Sequence, residues 1–125
     1  MYHLAVRRDF IAYHCHIHAN LAKEEIEHSH NYLVELELSG RLLDQNNQLV
    51  DLPGLNSGLE KVLNRYRERT LNDLPEFSRK NPSLELFSSI LCRALADEIT
   101  EDNITRVTVR LWENEQTWAS YEVDY

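Results

Sequence analysis

Apolar and polar positions alternate in the first and last quarters of the chain and recur at helical spacing in the middle. From Tyr2 to about His14, Leu4, Val6, Phe10, Ala12 and His14 share one side and polar residues are frequent on the other, which predicts a strand. A clearer strand runs from His28 to about Leu42. Its residues His30, Tyr32, Val34, Leu36 and Leu38 lie on one face, while Asn31, Glu35, Glu37 and Ser39 lie mostly on the other, so only one face can be core. Between these strands, Ala19 to Glu27 is polar and acidic and reads as a connecting excursion.

After a polar turn at Asp44 to Asn47 and the short apolar stretch Leu49-Val50, Pro53 can occupy the first turn of a helix. Leu55, Leu59, Val62, Leu63 and Tyr66 follow at helical spacing, with Glu60, Lys61, Arg65 and Arg67 outward. A loop through Asn72 to Pro75 leads to Asn81-Pro82, read as an N-cap followed by proline at the first helical position of a second helix with Leu84, Phe87, Leu91, Ala94 and Leu95 inward. Period two then returns. Val107, Val109, Leu111 and Glu113 share a face, Asn114 to Gln116 make a tight connection, and Ala119, Tyr121 and Val123 complete a terminal hairpin. Strand, strand, helix, helix, strand, strand is an α+β order: four antiparallel strands, with both helices on one sheet face because their apolar stripes have nothing else to cover.

Composition narrows the possibilities. With 125 residues, 42% of them hydrophobic and 27% charged, the chain suits one domain spanning residues 1–125. Its apolar runs are too short to cross a bilayer and its start does not resemble a secretory signal, so the expected location is the cytoplasm, without a membrane partner. Cys15 and Cys92 are too few for a disulfide framework and are read as thiols. A net charge of −8, with no basic cluster beyond pairs such as Arg7-Arg8 and Arg79-Lys80, argues against nucleic acid as a partner. The Asn103-Ile104-Thr105 tripeptide fits a glycosylation sequon that a cytoplasmic chain would not use.

The six histidines change the picture most, because all of them (His3, His14, His16, His18, His28 and His30) fall within the first thirty residues. His28 and His30 project to the same strand face, at the edge of the core. His14 ends the first strand on the face of Phe10 and Ala12, and if the two strands form a hairpin, the end of one lies opposite the start of the other. Three imidazoles then converge. Three histidines with a further position open to water or substrate are a pattern of catalytic zinc, although imidazoles alone also accept iron, nickel or copper. The plainer alternative is that each is a half-buried polar residue at a strand end. His16 and His18 read as solvated and His3 as structural.

FIAYH at Phe10 to His14, HSHNYLVELELSG at His28 to Gly40, LVDL at Leu49 to Leu52, LNDLPEF at Leu71 to Phe77, NPSLE at Asn81 to Glu85 and WEN at Trp112 to Asn114 stand in order and spacing. In this the chain resembles the 6-pyruvoyl-tetrahydropterin synthases and 6-carboxy-tetrahydropterin synthases over almost its whole length. The resemblance implies the tunnelling fold, in which copies join their sheets into a barrel and stack as a homo-oligomer, a dimer of trimers, with sites at subunit interfaces. It implies Zn2+ on His14, His28 and His30, and a small-molecule pterin anchored by Glu113, whose carboxylate can accept two hydrogen bonds from an aminopyrimidine edge. Ser83 and Glu85 match substrate-contacting positions at the start of the second helix; capping of that helix is their other reading.

The chain departs from those synthases at two places. Glu24 stands where they have a proton-transferring cysteine, and Arg67-Glu68 where they have an Asp-His pair. Glu24, with Glu68, is the expected proton carrier, and Glu25 and Glu27 lie near enough in sequence to substitute. Strand alternation would point Cys15 away from the metal. A similar subgroup with glutamate at that position cleaves the side chain of dihydroneopterin to a hydroxymethyl product, but retains the histidine dyad. The expected function is a zinc-dependent lyase acting on the side chain of a dihydroneopterin-type substrate such as 7,8-dihydroneopterin triphosphate. The alternatives are that subgroup's cleavage, a diverged pterin-binding protein, and a structural metal-binding oligomer. The branch, whether queuosine, biopterin or folate, depends on the altered residues.

Overall fold

The computed structural model describes residues 1–15 and 27–125. Strands β1 (Tyr2–His14) and β2 (His28–Gly40) pair antiparallel along their whole length, from Tyr2 opposite Gly40 to His14 opposite His28. After helices α1 (Leu52–Leu63) and α2 (Leu84–Ala96), β3 (Arg106–Trp112) pairs with β2 and β4 (Trp118–Asp124) closes the terminal hairpin. The result is one four-stranded antiparallel sheet in the order β1-β2-β3-β4 with two helices, as the hydrophobic periods predict. Among the described residues, no helix is long and apolar enough to cross a membrane.

The core lies between the helices and the sheet face formed by Phe10, Tyr32, Val34, Leu36, Val109 and Leu111. Phe87 of α2 meets Phe10 edge-on at 5.9 Å and Tyr32 at 5.3 Å, so the second helix is keyed to the end of the sheet where β1 ends and β2 begins. Such aromatic pairs contribute about 0.5–1.5 kcal/mol each beyond their buried area. Arg8 of β1 ties α1 down through Asn56 at 2.7 Å and Glu60 at 3.5 Å.

Among the described residues, no helix lies over the opposite sheet face. There Glu35 is buried beneath Arg7 and Arg110, which reach it at 2.9 and 2.7 Å. Burial pushes its carboxyl up, but hydrogen bonds from Arg110 and Arg7 outweigh burial and hold it below its ordinary value.

Local chemistry explains the element ends. Asp51 caps α1 by accepting from the Gly54 N–H at 3.1 Å, with Pro53 in the first turn as expected. Helix α2 begins later than the sequence reading places it: the cap is Ser83, whose hydroxyl accepts from Leu86 N–H at 3.1 Å, while Asn81 and Pro82 precede it. Tyr66 was read as part of the first helical stripe; α1 ends at Leu63, and Tyr66 is buried from the turn that follows. At Gly40, a side-chain carbon would stand 2.4 Å from the Asn103 carbonyl oxygen, so glycine is what lets the end of β2 pass that loop.

The link from α1 to α2 carries two short 3-10 turns, Leu71–Asp73 and Pro75–Phe77. It is clamped by Glu76, which takes a forked pair of hydrogen bonds from Arg65 at 2.6 and 2.7 Å and a third from the Tyr66 hydroxyl at 2.8 Å. The Arg65 hydrogen bonds lower the Glu76 carboxyl from its ordinary 4.5 to about 2, against the opposing effect of burial. A carboxyl depressed by folding stabilises above its unfolded value and loses that contribution as pH falls toward its folded value. Glu76→Gln is therefore expected to lower stability by about 1–2 kcal/mol at pH 6, with the gap from wild type closing between pH 5 and pH 2. Thermal unfolding followed by circular dichroism across that range is the check; a gap that does not change with pH contradicts the assignment.

Candidate metal centre and its cavity

His14 is the last residue of β1 and His28 the first of β2, and they face each other across the ladder. His30 lies one same-face step along, opposite Ala12. Their ring centroids are 4.4 Å (His14 to His28), 4.8 Å (His14 to His30) and 4.9 Å (His28 to His30) apart. One nitrogen from each lies within 4.8 Å of the others, and all three residues are partly buried. The donor set fits a three-histidine metal centre: imidazoles from two register-locked strands, half shielded from water, with a cavity on their open side. The convergence expected from strand parity is what the structure shows.

That cavity, of about 710 Å3, is lined by the histidines, by Glu113 beyond β3, by Thr117 and Trp118 at the start of β4, and by Ser83 and Glu85 at the start of α2. Its volume suits a bicyclic heterocycle or a molecule of similar size. Glu113 is fixed by the hairpin turn. Its N–H donates to the Thr117 carbonyl at 3.3 Å, while Asn114 accepts from Gln116 and Thr117 N–H groups at 2.9 and 3.0 Å. Ser83 caps α2 through its oxygen and also lines the cavity.

Glu24, Glu25, His16 and His18 lie outside the described residues. Glu27 is exposed and accepts a hydrogen bond from the Thr70 hydroxyl. Glu68 is exposed, does not line this cavity, and has a left-handed backbone, φ 62°, from which its N–H donates to the Ile11 carbonyl at 2.7 Å. With Tyr13 N–H donating to Arg69 O at 2.9 Å, this segment covers the outer edge of β1 beside the metal centre. His3, read as structural, lies at the far end of β1 with its Nδ1 2.8 Å from the Ser39 hydroxyl.

Strand alternation points the Cys15 side chain away from the histidines, and its thiol is not part of the donor cluster, which comprises His14, His28 and His30. Cys15 is buried and lines the cavity. Asn72 grips its backbone from both sides, accepting from its N–H at 2.8 Å and donating to its carbonyl at 3.0 Å. Sequence reasoning also missed Tyr32 as a site residue, assigning it to the core. It is core, but its hydroxyl lies 3.0 Å from His14 Nδ1. Burial pushes that phenol far up, and the nearby charge of Glu113 adds to the shift. Its place two residues after His30 on the same face was the available signal.

A family model described as 6-pyruvoyl tetrahydropterin synthase matches residues 3–124. A curated relative from Archaeoglobus fulgidus, provisionally named a 6-carboxy-5,6,7,8-tetrahydropterin synthase, is 28% identical over 92 residues, covering 74% of this chain and 72% of that protein. Among solved structures, the 6-pyruvoyl tetrahydropterin synthase of Plasmodium vivax has a TM-score of 0.83 at 18% identity, covering 99% of this chain and 98% of that one. A variant of that enzyme, with a glutamate described as a catalytic residue changed to alanine, superposes at 0.82 and 15% identity with the same coverage. The Caenorhabditis elegans enzyme matches at 0.79 and 19%, again covering 99% and 98%. At these identities the structural likeness establishes a shared fold.

The geometry predicts one zinc ion per chain. Elemental analysis after loading and desalting is expected to give a ratio near one for wild type and near zero for His28→Ala; retention of zinc by the variant contradicts the three-histidine centre.

Proposed function

We propose, because this chain belongs to the 6-pyruvoyl tetrahydropterin synthase family, that it is a zinc-dependent lyase acting on the side chain of a dihydroneopterin-type substrate. The observation that supports this most directly is the placement of His14, His28 and His30 and of Glu113 on one cavity. Zinc held by the three imidazoles would polarise side-chain oxygens and acidify the adjacent C–H bonds. Glu113 would accept two N–H groups of the pterin edge, fixing the ring so that its side chain points at the histidines.

A proton carrier is still required, and Glu24 is the proposed one. It stands in sequence where related synthases have their cysteine, and the Plasmodium vivax enzyme is a precedent for a catalytic glutamate on this fold. Glu68 does not line its own protomer's cavity, so its proposed part belongs to a site shared between copies.

Such sharing has a structural basis. Both β1 and β4 are sheet edges, and between Tyr2 and Phe10 the outer side of β1 lies clear of the 68–70 segment that covers its last residues. An unpaired edge of that length is a template for another strand. We propose that β4 of one copy pairs with β1 of the next in a dimer of trimers. Light scattering is expected to give six times the 14.7 kDa chain mass; a monomer would sink the shared-site proposal.

Loss of the usual cysteine and Asp-His pair favours one other reading, a protein that binds a pterin without turning it over. Mass spectrometry of products from 7,8-dihydroneopterin and its triphosphate, with zinc-loaded protein, separates the two. The lyase reading expects a side-chain-altered product, a loss in kcat of about 10²-fold or more in Glu24→Ala, and a raised KM in Glu113→Ala. Pterin binding lost in Glu113→Ala, with no product from either compound, would establish the binding protein instead.

A further inference from the structure

We infer that Tyr32 is a positioning residue for the metal centre: its hydroxyl fixes the ring of His14 and assigns the ion to that ring's Nε2. The inference rests on the three-histidine reading above and adds a group outside the ligand set.

The phenol has little freedom to be anywhere else. Tyr32 is 1% exposed, its ring is stacked on Phe10 at 5.4 Å, and it meets Phe87 edge-on at 5.3 Å and His30 at 5.6 Å. Three packed faces leave the hydroxyl at one position, 3.0 Å from His14 Nδ1. A nitrogen that shares a proton with a hydroxyl has no lone pair for a metal, so Nδ1 is committed to Tyr32 and Nε2 is the ligating atom. An imidazole that ligates through Nε2 retains its proton on Nδ1, and the phenol oxygen is placed to accept it. Partners of this kind orient the ring and raise its basicity.

His14 needs such a device more than the other two ligands. His28 and His30 belong to an inner strand, whereas His14 ends an edge strand, where a ladder would ordinarily fray. Two further restraints act on the same chain end: Asn72 clamps the Cys15 backbone at 2.8 and 3.0 Å, and the Tyr13 N–H is bonded to Arg69 O at 2.9 Å. These hold the backbone of His14, and Tyr32 sets its side chain.

The test is zinc competition with a chromophoric chelator for wild type, Tyr32→Phe and His14→Ala, together with the visible spectrum of the Co2+-loaded proteins. Phenylalanine keeps every ring contact, so a role in packing alone predicts no change in zinc affinity. The positioning role predicts zinc binding 10- to 100-fold weaker in Tyr32→Phe with an altered cobalt spectrum. It also predicts recovery when position 32 carries 4-aminophenylalanine, which restores a hydrogen-bonding group at the same place. Wild-type affinity and an unchanged spectrum in Tyr32→Phe would overturn the inference while leaving the metal centre intact. Wild type that binds zinc no better than His14→Ala would remove the metal reading itself, and the inference with it.

Discussion

The register between β1 and β2 is the constraint on which the site depends. Slipping the ladder by one residue would turn one strand's ligands to the opposite sheet face. A slip of two would keep the faces but move His14 along by about 7 Å, farther than the 4.4 to 4.9 Å that separates the rings. The three-histidine cluster therefore exists in one register, and both sheet faces select it. On the core face, Phe10 stacks on its direct partner Tyr32. On the open face, Arg7 bonds its direct partner Glu35, which is also held from the other side by Arg110, its partner on β3. Aromatic packing and charge pairing are independent forces, and they agree.

The same antiparallel logic brings the remaining parts of the cavity to one end of the sheet. β1 ends there and β2 begins; β3 ends there and β4 begins. The turn between β3 and β4 consequently delivers Glu113 beside strands distant in sequence. Phe87, packed edge-on against both Phe10 and Tyr32, fixes where α2 starts relative to that end, which is why Ser83 and Glu85 reach the cavity. A ligand held there would touch three separate parts of the chain, while at the opposite end of the sheet Gly40 lets β2 pass close to the Asn103 carbonyl.

Features set by periodicity were legible in the sequence, and features set by single side-chain-to-backbone bonds were not. Alternation placed the strands, and parity brought His14, His28 and His30 together before any coordinates. The start of α2 was misplaced because Asn81-Pro82 and Ser83 both satisfy the cap preferences; only the bond from Leu86 N–H to the Ser83 hydroxyl distinguishes them. Asn72 gave no signal, since an amide that grips another segment's backbone has no spacing rule. The left-handed turn at Glu68 was equally silent, because glutamate does not announce positive φ as glycine or asparagine can.

These differences bear on how the chemistry of such a protein can change. The three histidines are rungs of a ladder that also supports the core, so moving one disturbs the register, the Phe10–Tyr32 stack and the cavity wall together. Glu24 and the Arg67-Glu68 pair stand instead in segments that link the regular elements in sequence, where a residue can be exchanged without altering a rung. At Glu68 the requirement that the fold imposes is on the backbone: an N–H aimed at the Ile11 carbonyl, which any residue able to tolerate that φ supplies. Substitution is therefore cheap at the proposed proton-transfer positions and costly at the three histidines. A chain built in this way can keep its histidine cluster while its connecting segments change, which agrees with a resemblance to the synthases that holds at His14, His28, His30 and Glu113 and fails at Glu24 and Arg67-Glu68.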